Sequence, residues 1–213
     1  MIPIRNKKKT LQVTVEEMRN FAFVYVEKYA PSKQQLKTYL LKKYLKTSVP
    51  NVKKQDVNNL IDIVLSDLEK NRFINDKFYS ETKAKSMIRR GNSINKIRSY
   101  LIGKGIQDNY IKETVNKIQE ENSDQDFFSA LKICKKKRIG PARIEDNRSL
   151  FYKKDISLLA RNGFSFETSK KVMDLKKEDY LKIIKLLWFF TFVFLYKLFN
   201  YIFNIVSYEN KYQ

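Results

Sequence analysis

The chain has 213 residues, 43% hydrophobic and 31% charged, enough for one compact domain or two to three small modules. Lys and Arg number 43 against 23 Asp and Glu, and this net charge of +20 points to a polyanionic partner. The lack of His removes the commonest general base and most zinc or haem sites, while a single Cys, Cys134, excludes an internal disulfide and fits a reducing compartment.

Only five Gly and four Pro favour long helices over turn-rich sheets, and the chain reads as helical almost throughout. Thr14 with Glu17 forms a capping box that opens a helix running to about Tyr29, stopped by Ala30-Pro31. Ser32 with Gln35 is a second box, followed by a stripe of Leu36, Leu40 and Leu41. After a polar stretch, a third helix carries Leu60, Ile63, Val64 and Leu68 on one face. The next set runs from Phe78 to Arg90, from Ser93 to Lys104, and from Asp108 to Glu121. A last set begins with a box of Ser123 and Asp126 and covers Phe127–Arg138, about Leu150–Asn162, and Ser165–Leu175.

The three sets are internal repeats. Shifting Ser32 by 61 residues onto Ser93 brings Leu36 onto Ile97, Tyr39 onto Tyr100 and Leu40 onto Leu101. Shifting Gly105 by 58 onto Gly163 brings Leu101 onto Leu159 and Ile106 onto Phe164. Each unit alone has a thin core, so the expected fold is all-α: an elongated tandem array of three three-helix repeats plus a C-terminal hydrophobic helix. The expected boundaries are a basic N-terminal segment over 1–13, repeats over 14–73, 74–122 and 123–178, and an apolar tail over 179–213.

Arg72-Phe73-Ile74-Asn75-Asp76-Lys77-Phe78, then Arg89-Arg90-Gly91-Asn92-Ser93-Ile94-Asn95-Lys96-Ile97-Arg98 and Leu101-Ile102-Gly103-Lys104-Gly105-Ile106, resemble the central repeat of the RecX family. Ala22-Phe23-Val24-Tyr25-Val26-Glu27-Lys28-Tyr29-Ala30-Pro31-Ser32 resembles its first repeat. Ala130-Leu131 through Lys135-Lys136-Lys137-Arg138-Ile139-Gly140-Pro141, and later Leu158 to Glu167, resemble its third. The resemblance spans roughly residues 15 to 175, in order. It implies a non-enzymatic regulator of the bacterial recombinase RecA that binds the RecA–single-stranded DNA filament and opposes its activity. A monomer without cofactor or metal, acting in the cytoplasm in DNA repair, recombination and the SOS response, is the matching expectation. Leu45–Gln55 is longer than the family's usual turn, and the chain continues past about Asp179, where typical members end.

Candidate contacts to phosphate or acidic protein are Arg89, Arg90, Lys96, Arg98, Lys104, Lys135, Lys136, Lys137, Arg138 and Arg143. Lys42 and Lys43 read better as a solvated helix face, and Lys96 and Arg98 are evenly balanced between the two. Arg89-Arg90 and Lys135 to Arg138 are the dense clusters. Charge without a groove-reading signature implies backbone recognition with steep salt dependence. Tyr39 and Tyr100 raise a base-stacking reading, though packing between helices is the preferred one. Phe78, Phe127 and Phe164 read as core, and Cys134 as a buried apolar residue.

Nothing in the chain points to catalysis. Glu16-Glu17 and Asn75-Asp76 sit at helix starts, where capping and the helix dipole explain them, and Gly103-Lys104-Gly105 is too short for a phosphate loop. The basic opening segment lacks a following apolar stretch, so it does not read as a secretory signal. In the tail, Leu186 to Tyr196 has only Thr191 as a polar interruption, and extension to Val206 accepts Lys185, Lys197, Asn200 and Asn204 in one arc of about 120°. Contact with the inner face of a membrane through 183–206, packing on the third repeat, or a functionless extension are its three readings. The rivals to the filament regulator are a generic basic DNA-binding protein and a membrane-tethered adaptor.

Overall fold

A computed structural model describes residues 11–46 and 53–187, and every regular element among them is helical. Helices α1 (Val15–Tyr29), α2 (Lys33–Lys46), α3 (Lys54–Lys70), α4 (Asp76–Arg89), α5 (Ile94–Gly103), α6 (Asp108–Glu121), α7 (Gln125–Lys137), α8 (Arg148–Arg161) and α9 (Phe166–Met173) are followed by α10 over residues 177–187. Two short 3-10 turns, Gly140–Ala142 and Glu145–Asn147, connect α7 to α8. The basic N-terminal segment is outside the described residues up to 10, as is the long connection over 47–52 and the tail beyond 187.

The chain divides into two compact units. The first takes in residues up to Met87 together with Lys96–Ser123, and the second Ile88–Asn95 together with the chain from Asp124 onward. In the first, α1, α2 and α3 close around Met18, Ala22, Leu36, Leu40, Ile61, Val64 and Leu65, all at most 1% exposed. Each of these side chains larger than Ala22 contributes about 1.5–3 kcal/mol when fully buried. The helix starts are local chemistry: the Glu17 N–H donates to Thr14 Oγ1 at 3.3 Å, while Ser32 and Gln35 bond reciprocally at 3.2 and 3.3 Å. In the second unit, Leu131, Cys134, Leu159, Phe164, Val172 and Met173 form the core, joined by Tyr180 and Ile184 of α10. The start of the apolar tail is therefore core up to residue 184. Among the described residues no helix is long and apolar enough to cross a membrane.

One joint occurs twice. In the first unit Ser32 Oγ donates to the Lys104 carbonyl at 2.7 Å, and the Lys33 N–H donates to Asp76 Oδ1 at 2.8 Å. In the second, Ser93 Oγ donates to the Asn162 carbonyl at 2.7 Å, and the Ile94 N–H donates to Asp126 Oδ1 at 2.8 Å. Both serines are fully buried, and each joint ties the start of a second helix to the start of the next first helix and the end of the next second one.

Two local expectations are corrected. The Ser123–Asp126 box does not form: α7 begins at Gln125 after Asp124, and the Asp126 carboxylate serves Ile94 instead. Phe78 is 68% exposed, because α4 buries Tyr79, Ser80 and Ala84, with Ser80 Oγ bonded to Thr114 Oγ1 at 2.9 Å. Phe164 is buried and Phe127 packs at the edge of the second core.

Candidate functional site

The Arg89-Arg90 pair sits where α4 ends and the chain turns into α5. Gly91 makes this turn at φ +82, with its N–H on the Ile88 carbonyl at 2.9 Å. A Cβ added there would meet Lys132 Cβ at 3.0 Å and the Ser129 carbonyl at 3.1 Å, so the turn lies directly on α7. Beyond it, Ser93 and Ile94 are tied by the joint, and Asn95 Nδ2 donates to the Gly163 carbonyl at 3.1 Å. The two arginines are exposed but stand on backbone fixed at several points.

Helix α7 supplies the second group of charges. Lys132 lies against the Gly91 turn, and burial pulls its ammonium pKa down from the ordinary lysine value. Lys135 and Lys136 follow three and four residues on, along the same helical side, and Lys137 ends the helix. Arg138 adopts a left-handed conformation at φ +53, closing α7 with N–H bonds to the Cys134 and Lys135 carbonyls. Cations at a helix C-terminus are favoured by its dipole, yet four in succession exceed what that effect requires. Arg89, Arg90, Lys136, Lys137 and Arg138 make no ion pair among the described residues. Sequence reading missed Lys132 and the exposed Arg161 at the end of α8, beside the Asn162 joint carbonyl. The signal for Lys132 was its helical spacing from Lys135 and Lys136.

Lys96, Arg98 and Lys104 belong to the first unit. Lys96 and Arg98 are exposed on α5, whereas Lys104 is half-buried with its ammonium 5.3 Å from the centre of the Tyr100 ring. Tyr100 in turn shares a hydroxyl bond with Tyr79 at 3.3 Å, and Tyr39 stacks on Tyr25 with ring centres 4.0 Å apart.

Arg143 is placed differently. Its Nε and Nη2 donate to the Asp155 carboxylate at 2.6 and 2.8 Å, and its guanidinium lies 4.4 Å from the Phe151 ring centre. Asp155 is 1% exposed and also accepts the Gly140 N–H at 2.8 Å. Burial pushes this carboxyl up, but the Arg143 and Gly140 hydrogen bonds outweigh it and hold the pKa below the ordinary value. The bidentate bond fixes the 3-10 segment onto α8, so the guanidinium is already engaged. Cys134 is fully buried, and burial raises its thiol to about 12 with the Asp155 charge adding to the effect.

No protein-family model matches the chain. It is 31% identical over 176 residues to the regulatory protein RecX of Myxococcus xanthus strain DK1622, a match covering 80% of this chain and 91% of that protein. With the regulatory protein RecX of Agrobacterium fabrum strain C58 it shares 31% identity over 106 residues, half of this chain and 54% of that one. A crystal structure of a regulatory protein RecX superposes with a TM-score of 0.53 at 18% identity, covering 76% of this chain and 74% of the other. That likeness shows the helical fold, and the identity with the Myxococcus protein over nearly its whole length settles the relationship: the chain belongs to the RecX family.

Proposed function

We propose that this protein regulates the RecA recombinase by binding the RecA–single-stranded DNA filament and opposing its activity. The observation that carries the reading is the concentration of charge in the second unit. There the Arg89-Arg90 turn, seated on α7, and the Lys135–Arg138 helix end offer cations whose backbone is fixed in advance. Such a surface suits phosphate chains and acidic protein faces, and nothing in it reads bases. Lys96, Arg98 and Lys104 add a second set of contacts from the first unit. Linked modest contacts of this kind strengthen one another through effective concentration. The protein acts as a cytoplasmic monomer, by binding alone, without catalytic group or cofactor.

The test is a titration of the full chain into a RecA ATPase assay on single-stranded DNA, with binding to the DNA alone as control. The full chain is required because Tyr180 and Ile184 belong to the second core. Inhibition below the concentration that coats free DNA is the expected result. DNA binding with unchanged ATPase would instead describe a generic basic DNA-binding protein. Reversal of Arg89 and Arg90 to Glu should weaken binding and flatten the slope of log K against log salt by about 1.4, the single-strand value for two phosphate contacts. An unchanged slope removes the pair from the interface.

A further inference from the structure

The first unit contains a cleft of about 360 Å³, which shares only Lys104 with the basic residues described above, at the lower end of the roughly 300–1,000 Å³ typical of small-molecule sites. Tyr25 and Tyr39 form one part of its lining, stacked at 4.0 Å with 12° between their planes. Lys42 and Lys104 provide its cations, and Gln34 and Gln35 its amides. The Ser32–Lys104 bond brings these segments together, and Gly105 meets Gln34 so closely that an added Cβ would lie 2.5 Å from Gln34 Cβ.

The charge balance around α2 is uneven in a way that matters for the ligand. On the side facing α3, Lys33 pairs with Glu69 and Lys37 with Asp62, each at 2.6 Å. The cleft has no carboxylate in its lining, and neither Lys42 nor Lys104 makes an ion pair among the described residues. Gln35 Oε1 is occupied by the Ser32 N–H, which leaves its amide N–H groups as donors toward the cleft. Aromatic surface, amide donors and unneutralised cations within one nucleotide-sized hollow are the elements of a base-stacking site with a phosphate contact.

We propose that this cleft binds one nucleotide of single-stranded DNA, with the base against the Tyr25–Tyr39 pair and the phosphate between Lys42 and Lys104. The ligand class rests on the filament reading above, whereas the site itself rests on the cleft. The second joint does not repeat its residues. Sixty-one residues on, Tyr100 stands for Tyr39, but Ser86 stands for Tyr25 and Gly103 for Lys42. The cleft therefore adds base contact to a protein whose other cations meet only backbone.

The experiment compares binding of the full chain to a fluorescein-labelled twelve-nucleotide oligo(dT) and to an abasic phosphate chain of the same length. The intact protein is expected to prefer oligo(dT) at least about fivefold, the low end of one stacked base. Tyr25→Ser, the residue of the second joint, should abolish that preference without changing the salt slope. Tyr25→Leu, which keeps apolar bulk for the fold, should do the same, and circular dichroism verifies that both variants are folded. Lys42→Gln with Lys104→Gln should instead flatten the salt slope on both probes. Photocrosslinking with a 5-iodouracil oligonucleotide should label the tryptic peptide over 20–28 or that over 38–42. Equal affinity of the intact protein for both probes, or crosslinks confined to other peptides, overturns the site and leaves the filament reading standing. Failure to bind either probe overturns both the site and the DNA contact of that reading.

Discussion

Replacing Arg143 by Ala would leave the Asp155 carboxylate buried with one remaining hydrogen bond, from the Gly140 N–H. Removing one partner of a buried ion pair costs about 3–5 kcal/mol, and the low end applies because the Arg143 side chain is itself 22% exposed. A loss of about 3 kcal/mol in the second unit is therefore expected, read as the change in urea unfolding free energy followed by circular dichroism. The pH dependence supplies an independent check. Asp155 has a folded pKa below its ordinary value, so the pair's contribution is present in full above the unfolded carboxyl pKa near 4 and is lost as pH falls through the lower folded value. Wild type and Arg143→Ala should therefore differ by the full amount at pH 7 and converge in acid. The salt slope of DNA binding, measured where the variant is folded, should match that of wild type, because the guanidinium is committed internally. A loss under 1 kcal/mol, or a difference that persists unchanged at pH 3, would refute the assignment of Arg143 to the fold.

Three further outcomes follow from other contacts. Asp126→Ala should cost about 1–2 kcal/mol by stranding the Ile94 N–H, whereas Asp126→Asn keeps an acceptor and should be near neutral. Equal urea midpoints for the two variants would contradict that role; burial also raises the Asp126 pKa, so its ionisation opposes folding, and wild-type stability measured against pH should carry a contribution that is greatest in acid and declines as pH rises. Gly105→Ala, at φ +71 and against Gln34, should destabilise by about 2 kcal/mol or more, while Gly103→Ala, with nothing within 4 Å, should be neutral or stabilising in thermal melts. The Cys134 thiol, raised to about 12 in the core, should resist iodoacetamide at pH 8 in the native protein and react fully in urea; rapid native labelling would disprove its burial.

The helices and their repetition were legible because their signals are local. Thr14 and Ser32 reach amides three residues away, and the shift of 61 residues pairs Ser32 with Ser93 from the sequence alone. Ser123 and Asp126 showed the same three-residue pattern, but the amide that won the carboxylate lies 32 residues earlier, which no local rule detects. Phe78 misled because hydropathy overlooks a seam of small and polar groups, here Ser80 against Thr114 with Ala84 beside it. Among the basic residues, Arg89-Arg90 and Lys135–Arg138 stood out by density alone. The engagement of Arg143 was hidden because its acid, Asp155, lies across a connection that sequence reading left without structure.

The recurring serine joint has an evolutionary corollary. Loss of residues 33–93 would place Ser32 directly before Ile94, and the shortened chain would still offer a serine hydroxyl to the Asn162 carbonyl and an amide to Asp126. Duplication of the same stretch would bring its own Asp76 to receive the added amide, but the carbonyl offered to the added serine would be that of Lys43, within α2. Recombination at these two codons would therefore shed a whole module while the partners of the remaining joint stay in place. Serine, carboxylate and carbonyl recur at spacings of 61, 50 and 58 residues, so the joint fixes where modules meet and leaves the length between its partners open to variation.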